Sequence, residues 1–397
     1  MKRALCILFV FLILLPTVNV SAYEDATAQS IYNNDPLEKA QYKSYAVMNC
    51  NGDRILMSKN GDDRMPVGNL VKLMLLCMTY DALSEGTLQM DTVLKVPEGV
   101  TKLSGNTVYL DYYKKETLTV EQALKVICVN SAHDAAYSLA LGMAHSEGEF
   151  VDKMNKKAEE MGLTNTHFTD CTGRERTEQY SSANDMVKIA FYLVSKYPQV
   201  TELTSEKLVW FKHSTGLEDT MVSTTNSMLR YYKNSTGLCA TSDDKIGYCC
   251  ATSATIKEEN LVCVVLGAAD DNAGMAVAKK LLENCAAEFQ YTTVDVAGTF
   301  VRRVAVEDGV EKTVKAETKD DFKAFIKVAA KDKIEKEIKP VEDLSAPLEA
   351  GDKVGEVIYK VGEEELGRVE IVAAEKVEKA GFFTRLVRWF LSLFGLD

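Results

Sequence analysis

Apolar positions along this chain change their spacing several times, and each change predicts an element. Two short runs, Ser44-Tyr45-Ala46-Val47-Met48 and Arg54-Ile55-Leu56-Met57, flank the turn sequence Asn51-Gly52-Asp53. Strand-like runs around Asn-Gly predict a β-hairpin. Residues 70–83 are apolar on almost every side, with Leu73, Met74, Leu75, Leu76 and Met78 close together, which predicts a central buried helix. Thr119-Val120-Glu121-Gln122 has capping-box spacing and predicts a helix start, with that helix reaching about Cys128. The pattern breaks at Asn130-Ser131 and resumes as a helix over 134–144. Further helices are predicted over 148–161, 184–195 and 273–289, and strands over 247–255 and 261–268. Strands at both ends of a helix-rich middle predict one sheet closed by distant segments, in an α+β domain.

Beyond Tyr291 the pattern becomes short β-like runs with turn signals: 301–306, Asp308-Gly309, 325–329, 356–359 and 368–372. Their spacing predicts a small all-β module. Residues 23–43 are polar and read as a loose stretch. The lysine and glutamate runs over 312–342 read as solvated faces of the β module.

Composition alters the picture mainly at the two ends. Lys2 and Arg3 precede an apolar run over 4–15, then Pro16 and the small-residue site Val20-Ser21-Ala22, the pattern of a cleaved export signal over 1–22. Cleavage removes two cations and takes the formal charge from -12 to -14, so a phosphate backbone is disfavoured and no nucleic-acid partner is expected. Nine cysteines then remain, an odd number without C-x-x-C spacing, which argues against a complete disulfide framework and a zinc ribbon. Neither a metal nor a cofactor is expected. At the far end, Phe382 to Phe394 is too short to span a bilayer: as a helix it reaches about 20 Å against a hydrocarbon core of roughly 30 Å. It is expected to lie in a membrane surface, aromatics inserted and Arg385 and Arg388 at the headgroups. The alternative is a helix packed on its own domain.

Three short segments carry candidate chemistry. In Met65-Pro66-Val67-Gly68-Asn69-Leu70-Val71-Lys72, Asn69 and Lys72 stand three apart, hence on one helix face. Val129-Asn130-Ser131-Ala132-His133 places Ser131 and His133 at a helix break, and Cys239-Ala240-Thr241 precedes Lys245-Ile246-Gly247-Tyr248. With Gly162-Leu163-Thr164-Asn165-Thr166-His167-Phe168, Tyr180-Ser181-Ser182-Ala183-Asn184-Asp185 and the tail Val377-Glu378-Lys379-Ala380-Gly381-Phe382-Phe383, the chain resembles the serine D-alanyl-D-alanine carboxypeptidases, the low-molecular-mass penicillin-binding proteins. That family works through Ser-x-x-Lys, Ser-x-Asn and Lys-Thr-Gly.

The resemblance implies a penicillin-binding, β-lactamase-like domain over 23–290, an antiparallel sheet with helices on both faces. It further implies a small β domain over 291–376 and an anchoring amphipathic helix over 377–397, at the outer face of a bacterial cytoplasmic membrane. It puts Asn69 at the nucleophile position, Lys72 at the general-base position and Ser131 at the proton relay. His133 stands at the substrate-binding asparagine, and Cys239, Ala240 and Thr241 at the Lys-Thr-Gly positions. A carboxamide is too poor a nucleophile to form an acyl-enzyme. The expectation is therefore an impaired relative that binds peptidoglycan stem peptides or a cell-wall protein. The alternative is a working hydrolase built on Ser131 and Lys72, and a third reading is a purely structural envelope protein. Lys72 is read as a structural lysine satisfied by Asn69 and Ser131, and a thiolate–imidazole or metal role for Cys239 with His133 is set aside. His145, His167 and His213 are read as structural or exposed, and Asn234-Ser235-Thr236 as a plain loop sequence.

Overall fold

A computed structural model describes residues 41–52, 54–174 and 178–392, so the export-signal prediction lies outside the described residues. The chain divides into two compact units between Glu283 and Asn284.

In the first unit a five-stranded sheet has the order β2-β1-β9-β8-β7. Its strands are β1 (Ser44–Asn49), β2 (Ile55–Lys59), β7 (Ser235–Asp243), β8 (Gly247–Ile256) and β9 (Glu259–Ala268). The predicted hairpin is present, and β1 pairs antiparallel with both β2 and β9, which joins the two ends of the unit. β7 pairs with β8 and forms one edge.

The helices between these strands follow the predicted pattern, with one informative departure. The buried run begins as a 3-10 turn, Gly68–Val71, and becomes α1 only at Lys72 (Lys72–Ser84). Side chains three apart eclipse in a 3-10 turn, so Asn69 stands over Lys72. α1 is central: Leu73, Met74, Leu75 and Cys77 are fully buried. α2 (Val120–Asn130) starts at the predicted capping box: Gln122 N–H donates to Thr119 Oγ1 (3.2 Å) and Thr119 N–H to Gln122 Oε1 (2.8 Å). It stops at Ser131, which adopts φ 57°, and α3 (His133–Gly142) follows at once. A non-glycine residue in the left-handed region cannot extend a right-handed helix, so the break at Asn130-Ser131 is a sharp corner. α4 (Glu147–Glu160), α5 (Ala183–Lys196) and α6 (Asp271–Glu288) complete the long helices.

Two small hairpins stand apart from the main sheet. One comprises β3 (Val93–Lys95) and β4 (Thr117–Thr119), the other β5 (Leu208–Phe211) and β6 (Thr220–Ser223). The second was not predicted. All nine described cysteines are buried, with no disulfide among the described residues.

The second unit is all-β before its last helix. β11 (Phe300–Ala305), β12 (Thr313–Thr318), β14 (Glu335–Pro340), β15 (Lys353–Val361) and β16 (Glu364–Ala373) form a sheet of order β11-β12-β16-β15-β14, while β10 (Phe289–Asp295) pairs with β13 (Phe322–Lys327). Val314, Val354, Val357, Tyr359 and Ile371 are its sealed core. α7 (Phe382–Ser392) carries exposed Phe382, Phe383, Leu386, Val387 and Phe390. Here the expected placement of the arginines needs correction. Arg388 donates to the carbonyls of Gly309 (2.7 Å) and Val310 (2.8 Å), and Arg385 pairs with Asp308 (3.5 Å). Both guanidinium groups turn back to the β module, because unpaired carbonyls and a carboxylate in the 308–310 turn offer fixed acceptors. Among the described residues no helix is long and apolar enough to cross a membrane.

Candidate functional site

The 3-10 turn before α1, the corner between α2 and α3, and edge strand β7 converge on one cleft of about 430 Å³. Asn69, His133, Ala240 and Thr241 line it. Lys72, Ser131 and Cys239 are buried beside these residues. The structure thus gathers every residue singled out in the three segments. A larger hollow of about 590 Å³, near Met78, Leu141 and Phe150, contains none of them.

Lys72 is the electrostatic centre. Its Nζ donates to Asn69 Oδ1 (3.1 Å) and to the Thr172 carbonyl (2.6 Å), and lies 3.2 Å from His133 Nδ1. Burial pushes its amine down from the ordinary 10.5 to about 8, against the opposing field of the Asp170 carboxylate. His133 Nδ1 lies 3.2 Å from the Thr172 carbonyl as well, so without a proton this nitrogen accepts from Lys72 and with one it donates to the carbonyl.

Ser131 has a different partner from the expected one. Its Oγ lies 3.3 Å from Cys239 Sγ, and the thiol also reaches the Asn69 carbonyl (3.5 Å). The expectation that Ser131 satisfies Lys72 is therefore corrected: the left-handed corner aims the hydroxyl at β7, and His133 and Thr172 take its place around the amine. Burial pushes the Cys239 thiol up, opposed by Lys72 and Ser131, so it remains protonated at neutral pH. Cys239 and His133 also have different partners, and no cluster of three His, Cys, Asp or Glu that could hold a metal occurs among the described residues.

Several site residues had no signal in the sequence. Thr172 lies one hundred positions from Lys72 and contributes only a carbonyl. Asp170 holds that loop by accepting from Thr172 N–H (2.5 Å), Thr172 Oγ1 (2.8 Å) and Gly173 N–H (2.5 Å). Gly173, at φ 80°, presses on the backbone of Gly68, and a Cβ there would stand 2.2 Å from the Gly68 carbonyl. On the other wall, Asn106 accepts the His133 N–H at its carbonyl (2.7 Å) and donates from its side chain to the Asn130 carbonyl (3.0 Å). The remaining histidines have no part in the cleft. His213 is buried between Glu116 (2.7 Å) and Thr220 (2.9 Å), and His145 and His167 are exposed.

An antiparallel sheet carrying a buried helix with a lysine at its first turn, plus a following β module, is the architecture of the penicillin-binding, β-lactamase-like class. The solved penicillin-binding protein 5 of Haemophilus influenzae superposes with a TM-score of 0.70 at 24% identity, covering 86% of this chain and 98% of that one. A peptidoglycan synthesis regulatory factor of Streptococcus pneumoniae gives 0.66 at 26% identity, covering 86% and 100%. The family model described as D-alanyl-D-alanine carboxypeptidase matches residues 30–270, and that of the penicillin-binding protein 5 C-terminal domain matches 289–379. The chain belongs to the D-alanyl-D-alanine carboxypeptidase family. The Bacillus subtilis D-alanyl-D-alanine carboxypeptidase DacF is 29% identical over 347 residues, 87% of this chain and 88% of that protein.

Proposed function

We propose that this chain is a catalytically impaired member of its family that acts in peptidoglycan metabolism by binding rather than by hydrolysis, with a stem peptide as the ligand of the cleft. The observation that carries this reading is the shell of Lys72: a carboxamide, an imidazole and a main-chain carbonyl, with no hydroxyl among the described residues for the amine to activate. Acyl transfer needs a nucleophile within hydrogen-bond reach of its base. Asn69 supplies none, and Ser131 is engaged by Cys239. The Lys-Thr-Gly positions hold Cys239, Ala240 and Thr241, so they offer no cation to a terminal carboxylate and place a side chain where a glycine would leave room. Loss of one fixed charge partner weakens such a ligand by tenfold or more. The cleft nevertheless stays open, at a volume in the range of small-ligand sites.

A peripheral position on a membrane surface fits the exposed aromatic face of α7. The decisive experiment is labelling with a fluorescent penicillin, comparing the wild type with a repaired variant carrying Asn69→Ser, His133→Asn, Cys239→Lys, Ala240→Thr and Thr241→Gly. The expected outcome is no covalent label on the wild type and label on the repaired protein. Acylation of the wild type would end the proposal.

A further inference from the structure

The loop and the hairpin that lead into the cleft carry exposed rings that the cleft itself does not account for. β5 and β6 bury alternate residues, Val209, Phe211 and Val222, and turn Leu208, Trp210 and Met221 to solvent. Trp210 faces Met221 directly across the pair, so the two form one flat apolar step. Trp210 is 63% exposed. The adjoining loop adds Tyr109 and Tyr113, 73% and 80% exposed.

Tyr109 is presented by construction. It adopts φ 61°, a region a bulky residue enters only when its surroundings force it. The force is visible: the buried carboxylate of Asp134 accepts the N–H of Val108 (3.1 Å) and of Leu110 (3.0 Å), the residues on either side. Loop and hairpin are joined by the buried His213–Glu116 contact and by Thr117 N–H donating to Ser214 Oγ (2.9 Å). Thr220 Oγ1 lies 3.5 Å from the Val108 carbonyl, which brings the start of β6 against the base of Tyr109. Both elements run directly into the cleft. The loop leaves it at Gly105 and Asn106, and β6 enters it through Thr225.

Exposed aromatic faces on a rigid support match the apolar faces of a pyranose ring. A stem peptide is covalently joined to an aminosugar strand, so a peptide in the cleft brings sugar rings to its walls. We infer that Trp210, Met221, Tyr109 and Tyr113 form a glycan-binding ledge that continues the cleft and takes the N-acetylated aminosugar portion of the ligand. This rests on the stem-peptide reading for its biological ligand, but its chemistry is tested without the peptide.

The probes are chitotetraose, a tetramer of N-acetylglucosamine, and a sugar-free stem pentapeptide, each titrated by calorimetry into the full chain. Chitotetraose is expected to bind the wild type, and Trp210→Ala and Tyr109→Ala are each expected to weaken it about tenfold. Phe300→Ala, which removes an exposed ring from the second unit, is expected to leave it unchanged. Pentapeptide affinity is expected to be the same in Trp210→Ala as in the wild type. Because the substituted rings are exposed, unchanged thermal melting should certify each fold. Chitotetraose binding without pentapeptide binding would refute the cleft reading and keep the ledge. Failure of chitotetraose to bind, or equal affinity in Trp210→Ala, overturns the inference. So does a Trp210→Ala variant whose only loss is self-association or binding to vesicles.

Discussion

Replacing Lys72 by Met tests the electrostatics of the cleft most directly. The amine is fully buried and pushed from 10.5 to about 8, so the folded chain gives up this proton well before the unfolded chain does. Between those values the unfolded state holds more protons, and stability rises with pH. Below pH 8 the full penalty of keeping the charged amine buried applies, about 3 kcal/mol at about 1.4 kcal/mol per unit. Lys72→Met removes that penalty but leaves Asn69 Oδ1 without its donor, at a cost of about 1–3 kcal/mol, and costs less at the Thr172 carbonyl, which keeps His133 Nδ1 at 3.2 Å. At pH 7 the variant should therefore be close to the wild type or moderately less stable. Between pH 7 and pH 9 the wild type alone should gain about 1 kcal/mol from this group. The assay is urea unfolding of both proteins at the two pH values in reductant, followed by circular dichroism. Buried thiols titrate in both proteins, so the change in the difference between them isolates Lys72. A difference that stays constant from pH 7 to pH 9 would refute the argument.

Other substitutions probe the supports. Gly173→Ala forces a Cβ onto the Gly68 carbonyl at a left-handed φ, and should cost roughly 3 kcal/mol or more in urea unfolding, with loss of cleft binding. Ser131→Ala removes only the hydroxyl facing Cys239 and should cost about 1 kcal/mol or less without changing ligand affinity, whereas a Ser131-dependent release of D-alanine from a pentapeptide would overturn the proposed function. Asp81 accepts from Tyr192, Tyr197, Lys157 and Lys196; burial raises its carboxyl, but these four donors outweigh it and hold it below the usual carboxylate range. Asp81→Asn should therefore destabilise at pH 7, and the gap to the wild type should close as acid titrates the native carboxylate. Arg388→Ala should free α7 from the 308–310 turn, seen as faster amide exchange in the helix, while vesicle binding that persists at high salt would fit arginines with internal partners.

What could be read from the chain alone was what is local. The Thr119–Gln122 capping box, the first hairpin and the Asn69–Lys72 pair are all encoded within four to fourteen residues, where helix and turn geometry leave few options. The partners of Lys72 beyond Asn69 were not legible, because a carbonyl at Thr172 has no residue-type signature and is delivered by a distant loop. Ser131 was assigned the wrong neighbour for a related reason: its left-handed conformation decides where the hydroxyl points, and serine does not announce that conformation. The β5–β6 hairpin was missed although Leu208-Val209-Trp210-Phe211 is strand-like, because all four residues are apolar and show no alternation. The arginines of α7 were aimed at lipid because their acceptors, the Gly309 and Val310 carbonyls, lie nearly eighty residues away.

The nine buried thiols have a consequence for how this protein ages. Each is sealed while the chain is folded, and burial keeps Cys50, Cys77, Cys128 and Cys250 protonated and unreactive. Opening of the first unit exposes all of them but Cys285 together, and in aerated buffer they can join in combinations the fold does not permit. Unfolding then becomes a one-way step. Lifetime under oxidising conditions is set by how rarely the molecule opens, and refolding yield by how much reductant is present when it does.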